Sequence, residues 1–158
     1  MTTTVTITGT GTPLATADRA GAGVLVRHGD VHLQFDAGRG TVNRLIAAGS
    51  SPADLTAVFL THYHNDHLVG LQDVVLSHWT MDVYDENGRL DILAPNGHTI
   101  DFCERMLDIW HEDLVVRALH NKREPKPKID ITGFDAPCLL YTSPSPRDAT
   151  LSRMPSSA

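Results

Sequence analysis

"LTHYHNDHLVG", residues 60–70, sets His62, His64, Asp66 and His67 within six positions. Imidazole nitrogen is a good ligand for zinc and similar ions, and a carboxylate supplies a harder oxygen. One histidine alone is ordinarily a packed or solvated residue; four such side chains behind an apolar stretch rarely arise by accident. The preceding "SPADLTAVFLTH" reads as a cap at Ser51, a short polar lead and a buried strand over residues 57–60. At a strand end His62 and His64, two apart, project to one side and can hold one ion. Asp66 and His67 are adjacent where the chain turns toward a helix, and can point at a second. Two ions about 3.5–4 Å apart activate a bridging hydroxide and stabilise the developing oxyanion.

Upstream, "TVTITGTGTP" alternates Thr with Val5 and Ile7 and then breaks into glycines, a strand followed by a turn. A glycine-rich turn can cradle phosphate, but no Gly-Lys-Ser/Thr ending follows and a plain turn is the better reading. "GAGVLVRHGDVHLQFDAG" predicts a hairpin turning at His28-Gly29-Asp30 and ending at Asp36. Val42, Leu45 and Ile46 have helical spacing and close on Gly49. Downstream, "LVGLQDVVLSHWTMD" predicts a helix and "GRLDILAP" a strand stopped by Pro95. In "TIDFCERMLDIWHEDL" the residues Ile100, Cys103, Met106, Leu107 and Trp110 share one face of an amphipathic helix. "NKREPKPKIDITGF" is a basic, proline-broken loop running into a strand. Strands alternating with helices place the chain in the α/β class, and no internal repeat is visible.

His-x-His-x-Asp-His after "VFLT" resembles the signature of metallo-β-lactamase fold hydrolases. The segments "TITGTGTPLATADRAGAGVLV", "FDAGRGT", "THYHNDHLVGL" and "LDILAPNG" resemble, in order, the opening part of ribonuclease Z-like proteins. The last segment departs from that branch at Ala94, where a glycine is usual. The resemblance covers residues 4–115 and implies a layered αββα sandwich. It implies that His62 and His64 ligate a first ion, and that Asp66 and His67 ligate a second. It further implies that Asp66 orients the attacking water or accepts its proton. Asp36, at the end of a core strand, would hold the histidine loop by hydrogen bonds, the plainer reading being a hairpin-end cap. The cofactor implied is a pair of divalent ions, zinc by default, with manganese or iron accepting the same ligands. The family completes its site with a further histidine, a bridging aspartate and a last histidine downstream, none of which can be placed in this chain.

The tail explains that expectation. "CLLYTSPSPRDATLSRMPSSA", residues 138–158, has no periodicity and resembles the translation of a transposase-type sequencing adaptor. Residues 1–137 are therefore expected to be the N-terminal part of one hydrolase domain, truncated to about half its fold. Residues 138–158 are expected to be non-native and disordered. Such a piece should expose apolar surface, fold poorly, bind metal weakly and show no turnover.

Charge and composition bound the partners. The chain of 158 residues carries 13 basic and 19 acidic residues, net −6, which weighs against a dedicated nucleic-acid binder but not against an enzyme that grips RNA through metals. No apolar run reaches the roughly 18 residues of a membrane span, and no signal-peptide pattern opens the chain, so a cytoplasmic enzyme without membrane partners is expected. The two cysteines make no disulfide framework, and Cys103 reads as a small core hydrophobe. His78 is expected to pack or be exposed, and His28 and His32 to be exposed. His98, His111 and His120 match no motif. Lys122, Arg123, Lys126 and Lys128 read as a solvated loop.

The ribonuclease Z-like resemblance implies cleavage of a phosphodiester at the 3′ side of precursor tRNA, and a homodimer in the intact protein. A small-molecule substrate (a lactone, thioester, sulfate ester or cyclic nucleotide) is the alternative, favoured by the acidic balance and by the lack of a basic glycine-rich arm in residues 1–137. A non-catalytic metal-binding module is the third reading.

Overall fold

The computed structural model describes residues 1–81, 88–121 and 126–135. The adaptor-like tail, the boundary at residue 137, Lys122 and Arg123 lie outside the described residues. Among the described residues six strands, β1 (Thr3–Gly9), β2 (Gly23–His28), β3 (Val31–Phe35), β4 (Ala57–Phe59), β5 (Arg89–Pro95) and β6 (Lys128–Phe134), form one sheet in sequence order. β1, β2 and β3 are antiparallel, while β3 to β6 run parallel. The difference follows from the connections. A tight turn through Gly29, at φ 58°, returns β2 into β3. Each later strand is reached by a crossover that must carry helix: α1 (Thr41–Ala47), then α2 (Asn65–Leu68) with α3 (Leu71–Met81), then α4 (His98–Arg105) with α5 (His111–Asn121).

Alternation along the strands sorts the faces. Leu25, Val58, Leu90, Ile92 and Ala94 point one way and meet Leu45 of α1, Val74 and Val75 of α3, and Cys103 of α4, all buried. The opposite face carries Val24, Val26, Leu33, Phe35, Phe59 and Leu93 half-buried, with Phe35 stacked on Phe59 at 5.0 Å. On that face Val5 and Ile7 are 63% and 60% exposed, so an apolar sheet surface stands open to solvent among the described residues. That is the exposed apolar surface the sequence reading expects.

The predicted hairpin, the helix over residues 41–47 ending on Gly49 (φ 70°) and the strand β5 are all present. Ser51 caps a short 3-10 turn, accepting the Ala53 amide at 3.2 Å. Two helices differ from expectation. The stretch after the histidine cluster breaks at Gly70, whose amide is drawn to the Ala37 carbonyl at 2.8 Å, separating α2 from α3. The amphipathic helix of residues 99–114 is broken as well, by a 3-10 turn at Asp108–Trp110. Its apolar residues have two targets: Cys103 and Met106 enter the main core, while Leu114 and Ala118 of α5 pack with Trp79. One straight helix could not serve both. Trp110, at the break, is 40% exposed and donates its indole N–H to Gln72 at 3.2 Å. His28 is exposed as expected, but His32 is half-buried and bonds Ser50 Oγ at 2.9 Å. His78 packs, at 5% exposure, within α3. Cys103 is a core residue at 1% exposure, and burial pushes its thiol up to about 12.

Candidate functional site

Parallel pairing of β3, β4 and β5 brings their carboxyl ends to one edge, where ligands of open α/β sheets commonly sit. The loops leaving β3 and β4 at this edge hold Asp36 and the histidine cluster, and the backbone ties them together. Asp36 donates its amide to the Phe59 carbonyl at 2.8 Å, and Ala37 donates to the His67 carbonyl at 2.7 Å. The union is tight enough to require glycine. A Cβ on Gly38 would stand 2.4 Å from the Asp66 carbonyl oxygen, and one on Gly70 would stand 2.1 Å from that of Gly38.

Asp36 adopts φ 57°, a left-handed conformation that costs most L-residues roughly 1–2 kcal/mol and that Asp tolerates better than most. The turn swings its carboxylate beneath the histidine loop. Oδ1 accepts the Thr61 amide at 2.8 Å, and Oδ2 accepts the Thr61 hydroxyl at 2.9 Å. Oδ2 also meets His67 Nδ1 at 2.7 Å. The buried Asp36 carboxylate thus hydrogen-bonds the histidine loop at both Thr61 and His67. The turn is itself braced: the buried Gln34 amide donates to the Asp36 carbonyl at 2.7 Å and to Thr8 Oγ1 at 3.2 Å.

His62, His64 and His67 are brought together. The His62 ring lies 4.6 Å from His64 and 4.1 Å from His67, centroid to centroid. Thr61 Oγ1 meets His62 Nδ1 at 2.9 Å, leaving Nε2 as the ring's other nitrogen. Burial, followed by the neighbouring His67 and His64, lowers the His62 pKa. His67 is fixed through Nδ1 by Asp36, and its Nε2 stands 3.7 Å from Asp66 Oδ2. Asp66 is 4% exposed, and its Oδ1 has no hydrogen-bond partner.

A buried carboxylate oxygen without a partner is costly unless a cation or proton answers it. Imidazoles with one nitrogen engaged and the other open are the companions a divalent ion takes. The donor chemistry of this loop thus fits a metal. Still, among the described residues no three His, Cys, Asp or Glu side chains close around a common ion position. Sequence reasoning names all five of these residues but misses their supports, Thr61, Gln34, Gly38 and Gly70. Only Thr61 carried a signal, as the first polar residue behind the apolar strand.

The architecture has solved counterparts. The short form of human tRNase Z superposes with a TM-score of 0.67 at 24% identity, covering 85% of this chain and 46% of that one. YhfI of Bacillus subtilis, a metallo-β-lactamase fold protein, gives 0.58 at 23% identity, covering 84% and 45%. The strand order and the edge loop thus define a protein of the metallo-β-lactamase fold. Within that class, the family described as Anti-Pycsar protein Apyc1 matches residues 3–121, and the chain belongs to it. Ribonuclease Z of Mycobacterium marinum is 37% identical over 117 residues, and that of Mycobacterium bovis 38%. The Mycobacterium marinum alignment covers 74% of this chain and 42% of the relative, so the chain spans less than half the length of the protein it matches. The resemblances to the fold and to ribonuclease Z expected from the sequence are borne out. No helix among the described residues is long and apolar enough to cross a membrane.

Proposed function

We propose that the intact protein is a metal-dependent hydrolase that cleaves a phosphodiester. His62 and His64 would hold one divalent ion, and Asp66 and His67 a second; zinc is the default, with manganese or iron compatible with the same donors. One observation carries the reading: Asp66 Oδ1 is buried, without a partner, beside an imidazole whose far nitrogen is locked by Asp36. The ions, when bound, supply acidity to water and positive charge for the departing oxygen. The protein's own part is orientation. Asp36 fixes the His67 ring and, through Thr61, the start of the loop. Asp66 would orient the attacking water and receive its proton.

RNA is the preferred substrate, precursor tRNA in particular, because the similar Mycobacterium proteins are ribonucleases Z. A second reading, a small-molecule ester, draws on the net charge of −6, which offers a polyanion little general attraction. The test incubates the intact protein and zinc with precursor tRNA, and separately with cyclic nucleotides, a lactone, a thioester and a sulfate ester. Precursor tRNA cut at its 3′ side and inhibited by chelation supports the ribonuclease. Turnover confined to the small molecules supports the second reading. No metal-dependent turnover of either kind refutes both and leaves the non-catalytic module.

A further inference from the structure

Residues paired on neighbouring strands share a face of the sheet. Leu25, Gln34, Val58 and Ile92 form one such row, and all four are 0% exposed. Three of them are apolar; the fourth is a glutamine. Burying an amide is unfavourable unless its groups are bonded, and here only half of it is. Nε2 reaches the Asp36 carbonyl at 2.7 Å, Thr8 Oγ1 at 3.2 Å and the Phe35 carbonyl at 3.3 Å. Oε1 has no hydrogen-bond partner among the described residues. Packing alone would favour leucine or methionine in this row, so the amide is explained by what it donates to.

The neighbouring strand makes room for it. A Cβ on Gly23 of β2 would stand 2.5 Å from Thr8 Oγ1 and 2.9 Å from Gln34 Nε2, across the hydrogen bond that aims the amide. The aimed amide ends on the carbonyl of Asp36, which is the one non-glycine residue at positive φ among the described residues.

Two imidazoles depend on that turn. An ionised carboxylate only accepts hydrogen bonds, so His67 Nδ1, 2.7 Å from Asp36 Oδ2, is the donor. The single hydroxyl proton of Thr61 also goes to Asp36, at 2.9 Å. His62 Nδ1 must therefore donate to Thr61 Oγ1, at 2.9 Å. Both rings then carry their proton on Nδ1 and keep Nε2 bare, a form that a divalent ion takes. We propose that Gln34 is a positioning residue of the metal centre. Its amide holds the left-handed turn at Asp36, and through that carboxylate it sets the tautomers of His62 and His67. The inference rests on the metal-binding reading above and deepens it.

The test compares the intact parent protein with Gln34→Met, which keeps the unbranched shape and removes the amide. Calorimetry with zinc, nitrogen-15 spectra of the histidine rings in the metal-free protein, and urea unfolding are read on each. Zinc affinity should fall by roughly 3- to 10-fold, the contribution of one hydrogen bond. The His62 and His67 rings, Nδ1–H in the parent, should take up Nε2–H. The urea midpoint should change little, because the unpartnered Oε1 leaves together with the donor. Thr8→Val keeps the glutamine but removes the acceptor that aims it. It should move the zinc and nitrogen-15 readouts the same way, and it decides the matter if Gln34→Met does not fold. Zinc affinity within about two-fold of the parent and unchanged tautomers in the folded variants overturn the inference and leave the metal reading standing. So does a lowered urea midpoint with zinc binding intact, the mark of a packing role alone. A parent that binds no zinc sinks the metal reading, and the positioning role with it.

Discussion

Replacing Asp36 tests how the loop is held, and the structure gives the size of the effect. Asp36→Ala removes the acceptor of the Thr61 amide and of His67 Nδ1, at 2.8 and 2.7 Å. An orphaned buried donor costs about 1–3 kcal/mol. Thr61 and His67 are partly accessible, however, so water can answer some of the loss. The left-handed backbone adds a penalty for Ala that Asp and Asn largely escape. Together these give about 2–4 kcal/mol of lost stability for Ala. Asp36→Asn keeps the backbone tolerance and one acceptor, and should lose about 1–2 kcal/mol. Zinc affinity should fall by roughly 10- to 100-fold in both, because His67 is no longer oriented. Urea unfolding of the intact protein reads the first quantity and zinc titration the second. Asp36→Ala within about 0.5 kcal/mol of the parent, with unchanged zinc affinity, would refute the reasoning.

Gly38→Ala should destabilise the protein by about 1–3 kcal/mol and weaken metal binding as well, because its methyl would meet the Asp66 carbonyl oxygen; unfolding and zinc titrations on one sample check both effects. Ile92, fully buried in the middle of β5, should cost about 2–5 kcal/mol as Ile92→Ala by urea denaturation. Cys103 should resist a thiol reagent at pH 8 until the protein is unfolded, with release of the chromophore as the readout. Its raised pKa also sets a pH dependence. The unfolded thiol ionises above about 9 and the folded thiol only near 12. The unfolded state thus loses its proton first, and this contribution to stability is complete below pH 9 and falls at about 1.4 kcal/mol per pH unit above it. Comparing the parent with Cys103→Ala from pH 8 to 11 isolates that slope.

What could be read from the sequence tracks how local each cause is. The hairpin, β5 and the Gly49 helix end were legible because alternation, turn residues and a cap act within a few positions. The histidine cluster was legible for the same reason: six consecutive positions carry it. Asp36 was legible only through the resemblance, since its contacts with Thr61 and His67 span 25 and 31 residues. Gln34 left no trace, because a glutamine inside an alternating strand looks like a solvent-facing position. It is fully buried instead, bracing a strained turn. The break after Arg105 was hidden for another reason. Helical periodicity runs on through residues 99–110, and only the presence of two separate apolar partners interrupts it.

Every role proposed for this edge of the sheet depends on metal binding by the loop of residues 62–67. Zinc-edge anomalous diffraction from crystals of the intact protein tests it most directly. Zinc density is expected against His62, His64, Asp66 and His67, and should be lost when His62 and His64 are both changed to alanine. Zinc located elsewhere, or full occupancy in the double variant, would contradict it.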